Sequence, residues 1–229
     1  QDNYAHIFRA DNDNSPEIIF PGVLDANFAQ SYGGTTFLLN ASIGGDGMSA
    51  ANYGSAGGWG GIRARPEFVN VFNGDPRGIF FTGYDAEITQ ITAFIEGTPV
   101  VKWNNLTSTG QDIAANDQSS IDFPFMRLAE AHLIYAEAVA RGASNGTTTQ
   151  AVDYINDLRE RAYGNTSQNI SASALTVDFM LDERARELYW EGFRRTDLTR
   201  FGKYSGSNYL WSWKGGTKSG ASFSSDFRL

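Results

Sequence analysis

Apolar residues recur at helical spacing in three stretches of the second half of the chain. Val177, Leu181, Ala185, Leu188 and Tyr189 share one face while Asp182, Glu183, Arg186, Glu187 and Arg194 fall elsewhere, which predicts one amphipathic helix for the charged stretch running to Lys203. Thr176 is its expected cap, with Asp178 in the first turn where the helix dipole favours an acid. A second stripe is Phe125, Leu128, Ala129, His132, Leu133, Ala136 and Val139, predicted to begin with Asp122 as cap and Pro124 in the first turn and to stop at Gly142. A third places Ala151, Ile155, Leu158 and Ala162 together, from about Thr149 to Tyr163. The short SNGTTT connection makes the second and third antiparallel neighbours, and all three are expected to share one core.

The first half shows a different pattern. Glu17 to Phe20 is a short apolar run that reads as extended, ended by Pro21-Gly22. From Asn27 to Gly61 glycines fall too closely for a helix and too irregularly for a sheet, which predicts a long structured loop. Arg65-Pro66-Glu67 starts a short helix carrying Phe68, Val69 and Phe72. Ile79 to Phe81, Ile88 to Ile95 and Val100 to Trp103 are β-branched and aromatic, as extended segments are, and Thr107 to Ser120 reads as a mobile polar loop.

Composition narrows the partners. Eighteen basic against 26 acidic residues give a formal charge of −8, so a nucleic-acid backbone or an anionic membrane surface is not an expected partner. The absence of cysteine removes disulfides, thiolate zinc sites and cysteine nucleophiles, and two histidines, His6 and His132, leave little for metal ligation. No window is long and apolar enough for a membrane-spanning helix, and Gln1 follows no signal peptide or initiator methionine, which reads as a processed chain or a fragment.

Several constellations carry candidate chemistry. Arginines 184, 186, 194, 195 and 200 lie close to Glu183, Glu187, Glu191 and Asp197, which predicts a partly buried bidentate network holding other segments in place. Asp182 with Arg186, Glu191 with Arg195 and Asp157 with Arg161 have i,i+4 pair spacing. Glu183 with Glu187, or Glu187 with Glu191, could match the carboxyl separation of a glycoside hydrolase, but neighbouring arginines would lower a pKa that a general acid needs raised. The glycine-rich loop lacks the Lys-Ser/Thr of a phosphate cradle. It offers instead Tyr32, Phe37, Tyr53 and Trp59 beside Asp46, Asn52, Arg63 and Arg65. Flat rings next to forked polar groups suit a sugar, whose C–H faces are apolar and whose hydroxyls both donate and accept. Asp11, Asp13 and Ser15 alternate like the first calcium ligands of an EF-hand, but Pro16 stands where that loop needs glycine, so a capped turn is expected and no cofactor. His132, on an apolar stripe with no second histidine near, is expected to be a hydrogen-bonded core histidine.

Three segments together, FPFMRLAEAHLIYAEAVARG (123–142), AVDYINDLRERAYG (151–164) and LDERARELYWEGFRRTDLTRFGKY (181–204), resemble the SusD/RagB-like outer-membrane nutrient-binding lipoproteins. SPEIIF (15–20), GGWGGIRARPEFVNVF (57–72), DPR (75–77) and YLWSWKGG (209–216) extend the resemblance over nearly the whole chain. It implies a mainly α fold of tetratricopeptide-like helix pairs supporting a loop-rich, partly extended ligand face. It also implies non-catalytic capture of oligosaccharide or polysaccharide at the cell surface of the outer membrane, and delivery to a TonB-dependent, SusC-like transporter. The alternative is a scaffold that docks on the transporter without itself binding sugar. The family's lipid-bearing cysteine and amino-terminal helical repeats have no counterpart in these residues, so the chain reads as the carboxy-terminal portion of a longer protein, the missing amino-terminal part being a further partner. The expected organisation is a ligand-facing region over 1–121 and a helical scaffold over 122–229, in one structural unit.

Overall fold

The computed structural model describes residues 2–45, 47–93, 95–113 and 117–222. In chain order they form β1 (Ile18–Gly22), α1 (Gly34–Ser42), α2 (Pro66–Asn70), β2 (Phe123–Arg127), α3 (Leu128–Ala140), α4 (Thr148–Tyr163), α5 (Val177–Leu188) and α6 (Arg194–Arg200), with short 3-10 turns between them. The fold is mainly α, and little of it is strand.

α3, α4 and α5 build one core. Leu133, Ala136, Ile155, Leu158 and Leu188 are buried together there, as the three stripes predict, and Met180, which lies outside the predicted stripes, joins them. Two of these helices begin on the side-chain oxygen that satisfies an orphan donor of the first turn. Thr147 accepts from the Gln150 amide at 3.2 Å and Thr176 from the Phe179 amide at 3.1 Å. α4 stops where Gly164 turns left-handed (φ 69°), a conformation that a side chain would strain. α3 and α4 run in opposite directions: His132 near the start of α3 stacks on Tyr154, while Val139 near its end lies against Gly146, just ahead of α4.

A second core lies under the first half of the chain, where Ile7, Phe8, Phe72, Val100, Trp103 and Ile121 pack with Tyr189. Leu188 belongs to the helical core and Tyr189 to this one. The chain joins them by leaving the helix: Tyr189 is extended (ψ 147°), Trp190 is left-handed (φ 60°) and Gly192 likewise (φ 89°). The charged stretch is therefore two helices, α5 and α6, and not the predicted single one.

Five more expectations are corrected. The segment Asp122 to Arg127 is not the start of a helix, because β2 pairs antiparallel with β1, and Asp122 accepts from the Leu24 amide at 3.0 Å. β1 also continues through Pro21-Gly22, and Pro21 faces Pro124. Two residues without an amide proton are tolerated opposite each other in a two-stranded ribbon, where little of the ladder depends on them. Within the glycine-rich loop, Gly34–Ser42 is a helix, since Thr35 to Ser42 contains no glycine and the Thr35 hydroxyl donates to the Ile121 carbonyl at 2.7 Å. The end of the polar segment before Ile121 is fixed, since Ser119 is buried and its amide donates to Thr36 Oγ1 at 3.0 Å. His132 is half-buried, and its Nδ1 is buried without a hydrogen-bond partner among the described residues, so stacking on Tyr154 (4.2 Å between ring centres) holds it in place of a hydrogen bond.

Candidate functional site

The acids of α5 lie at the centre of a closed ionic cluster. Glu183 and Glu187 stand one turn apart on the same helix face and are fully buried. Arg77 bridges them, reaching Glu183 at 2.9 Å and Glu187 at 3.0 Å while Asp75 holds it from the other side at 2.6 Å. Arg127, at the end of β2, reaches Glu17, Glu187 and Glu191 at 2.7 Å each. Lys102 bonds Glu191 at 2.6 Å beneath the rings of Phe8 and Tyr189. Arg161 bonds Glu17 and Glu187, and Arg159 bonds Glu183.

The cations that meet these acids are mostly not the neighbours in sequence. Arg186 bonds Glu183 and the Val71 carbonyl instead of Asp182, Glu191 turns to Lys102 and Arg127 instead of Arg195, and Arg161 leaves Asp157 for Glu17. Arg184 and Arg200 share Asp197, and Arg194 donates to the Leu181 carbonyl and the Tyr209 hydroxyl. Arg195 is exposed over the ring of Tyr204. Sequence reasoning missed Glu17, Arg77, Lys102, Arg127 and Arg159, and gave Arg161 a different partner. The available signal was the 183, 187, 191 spacing, which puts acids along one line and demands cations from elsewhere.

Burial alone would push the Glu187 carboxyl up, but Arg161, Arg127 and Arg77 reverse this and hold it well below the usual range. Glu183 is lowered in the same way, burial being outweighed by Arg77, Arg186 and Arg159. A carboxyl with a folded-state pKa below its unfolded one contributes stability that is full above the unfolded value, about 4.3, and lost as pH falls through the folded one. The contribution of Glu183 and Glu187 to the urea midpoint is therefore expected to be level from pH 7 to about 5 and to fall steadily below about 4.3. A midpoint unchanged at pH 3 would contradict the assignment.

A different arrangement occupies the surface. Tyr32, Phe37 and Trp59 remain 65%, 44% and 43% exposed, and the Trp59 ring centre lies 6.1 Å from that of Tyr32 and 6.2 Å from that of Phe37. The loop bearing Trp59 is laid along the end of α1, where carbonyls lack helical partners. The Trp59 amide donates to Asn40 at 2.9 Å, Gly60 to Ile43 at 2.8 Å and Ile62 to Ala41 at 3.1 Å. Asn40, buried, is fixed in turn by the Ser55 hydroxyl at 2.6 Å. Close approach requires the glycine before the tryptophan, since a Cβ on Gly58 would lie 2.0 Å from the Ile43 carbonyl oxygen.

Other residues predicted with these rings lie apart from that cluster. Tyr53 packs on Leu39, Ile43 and Val101, and burial pushes its hydroxyl up. Asn52 is exposed in a 3-10 turn and its carbonyl accepts from Asn104 at 3.3 Å. Arg63 donates to the carbonyls of Ser42 and Gly44 at 3.0 and 2.9 Å, which closes the chain after α1. Asp46 lies outside the described residues. Asp11 accepts from the Ser108 amide and hydroxyl, Asp13 from Asn14, and no group of three metal-ligating residues occurs among the described residues.

Comparison with known proteins places the fold. The family model described as SusD family matches residues 78–226. The starch-binding protein SusD of Bacteroides thetaiotaomicron is 31% identical over 97% of this chain and 48% of its own length. Surface glycan-binding protein A from Bacteroides thetaiotaomicron, in complex with laminarihexaose, superposes with a TM-score of 0.67 at 22% identity, covering 97% of this chain and 50% of that one. A SusD superfamily protein from Parabacteroides distasonis superposes with a TM-score of 0.63 at 18% identity, over 98% and 48% of the two chains. The chain thus spans about half the length of the relatives it matches. On the family match over most of its residues and on its identity to SusD, the chain belongs to the SusD family.

Proposed function

We propose that the protein binds oligosaccharide or polysaccharide without catalysis, on the face formed by Tyr32, Phe37 and Trp59. The observation that carries this reading is the convergence of three exposed rings, 6.1–6.2 Å from ring to ring, on a loop fixed to the end of α1. Exposed rings of this kind present apolar faces to sugar C–H groups at little conformational cost. The relative with the higher identity is named for starch binding. Non-catalytic action is supported by the state of the acids: Glu183 and Glu187 are fully buried and Glu191 is 3% exposed, all held by cations, with no open cleft between two carboxyls. The family supports a location at the cell surface of the outer membrane and delivery to a TonB-dependent, SusC-like transporter. No helix among the described residues is long and apolar enough to cross a membrane.

Calorimetric titration with linear α- and β-glucan oligosaccharides tests the proposal. Trp59→Ala is expected to weaken the bound glucan about tenfold, the loss of one aromatic contact of about 1.5 kcal/mol. The fold should be retained, with only a small fall in melting temperature, as the hydrogen bonds that tie Trp59 to α1 come from its backbone and its ring is 43% exposed. Undiminished affinity in Trp59→Ala would move the site off these rings.

A further inference from the structure

A cavity of about 470 Å³ opens between α2, α6 and the segment 204–211. It is in the size range of small-molecule sites, and none of Tyr32, Phe37 or Trp59 lines it. Its walls combine two chemistries. Phe68, Trp190, Tyr209 and Trp211 supply apolar ring faces. Alongside Arg63 and Arg194, which already donate to backbone carbonyls, and against one lining carboxylate, that of Glu67, guanidinium groups are supplied by Arg65 and Arg195.

Those two arginines differ from the arginines of the buried cluster. Neither forms an ion pair or a side-chain hydrogen bond among the described residues; Arg195 rests only on the ring of Tyr204, and Arg65 is half-buried beside Glu67. The Glu67 carboxylate is already engaged, accepting from the Ser212 amide at 2.8 Å and the Ser212 hydroxyl at 3.0 Å. Burial pulls the Arg65 pKa down, with Glu67 offsetting only part of this. In a chain carrying a net charge of −8, an excess of cationic forks in one hollow is a local departure. Trp190 adds a second one: it is a bulky residue held left-handed at φ 60° while lining the same cavity.

We propose that this cavity is a second ligand site, which takes a carboxylate borne on a six-membered ring, as in a uronic acid. A planar carboxylate matches the guanidinium fork in a bidentate pair, and the ring stacks on the aromatic wall. The hydroxyls of a neutral sugar would accept from Arg65 and Arg195 but leave their charge uncompensated, whereas a carboxylate both accepts and neutralises. The site is separate from the ring face, so its test does not depend on binding there.

Tryptophan fluorescence, which reports through Trp190 and Trp211, and calorimetry are followed on titration with digalacturonate, 4-hydroxybenzoate and neutral maltose. The expected result is saturable binding of at least one acid, with maltose causing no change at this site. The two acids separate a sugar source from an aromatic one. Arg65→Gln and Arg195→Gln are each expected to weaken the acid at least tenfold, the effect of losing a hydrogen-bonded charge pair. Both should retain the parent melting temperature and glucan affinity, and Trp59→Ala should retain acid affinity. Arg195→Gln keeps the test decisive if Arg65→Gln misfolds, because Arg195 is exposed. Failure of both acids to bind, equal binding of maltose that Trp59→Ala does not abolish, or acid affinity indifferent to both arginine variants would each overturn the assignment.

Discussion

Arg127→Ala is expected to lower the free energy of unfolding by about 3–5 kcal/mol, the cost of removing one member from a buried ionic set. Arg127 Nε donates to Glu191 at 2.7 Å, Nη1 to Glu17 and Glu187 at 2.7 Å, and Nη2 to the Glu187 carbonyl and Glu191 at 2.8 Å. Without it three buried carboxylates lose their shared cation in a place that water does not reach. Arg161 and Lys102 remain, but each already has its own acids. Lysine would not rescue the loss, because one ammonium cannot satisfy acceptors spread around a planar fork. The exposed Lys218–Glu87 pair, 3.1 Å apart, is the internal contrast: Lys218→Ala is expected to cost about 0–1 kcal/mol. Urea unfolding of both variants checks the pair of values, and a loss under 1 kcal/mol for Arg127→Ala would show that the cluster relaxes or hydrates.

Gly58→Ala is expected to cost about 3 kcal/mol, the upper end for forcing an extra group into a packed site, and to abolish glucan binding with it. The added Cβ would meet the Ile43 carbonyl oxygen at 2.0 Å and its carbon at 2.3 Å, and both are backbone atoms that cannot swing aside. Relief requires the loop to lift from α1, which breaks the Trp59 to Asn40 and Gly60 to Ile43 hydrogen bonds and carries Trp59 away from Tyr32 and Phe37. Gly57→Ala is the control. Nothing lies within 4 Å of a Cβ there, so stability should change by no more than about 0.5 kcal/mol and sugar affinity should hold. Equal behaviour of the two glycine variants in melting and titration would sink the account.

The charged stretch from Asp182 to Lys203 shows how far local pattern reaches. Its density of acids and arginines is plain in the sequence, and the i,i+4 rule supplied partners within it. The fold assigns most of the acids to Arg77, Lys102, Arg127, Arg159 and Arg161, the contact from Arg77 to Glu187 spanning 110 residues. An exposed helix pair contributes a few tenths of a kcal/mol, so it yields readily to bidentate bonds in a site closed to water. The rings behave similarly. Tyr32, Phe37, Tyr53 and Trp59 are alike in the sequence, but Tyr53 packs on the Leu39 and Ile43 cluster while the others stay open.

What the sequence by itself determined is the helical core. The stripes of α3, α4 and α5 and the cap Thr176 all act within one or two turns, so their signals lie next to each other in the chain. Only the tertiary structure decided that Asp122 to Arg127 is a strand, because its partner Ile18–Gly22 is about a hundred residues away and outbids a local helix start. It also decided where the glycine-rich loop becomes α1, which ring faces water, and which cation meets which buried acid. Each of these depends on surfaces brought together from distant parts of the chain, where desolvation and packing outweigh any preference of a few residues for their neighbours.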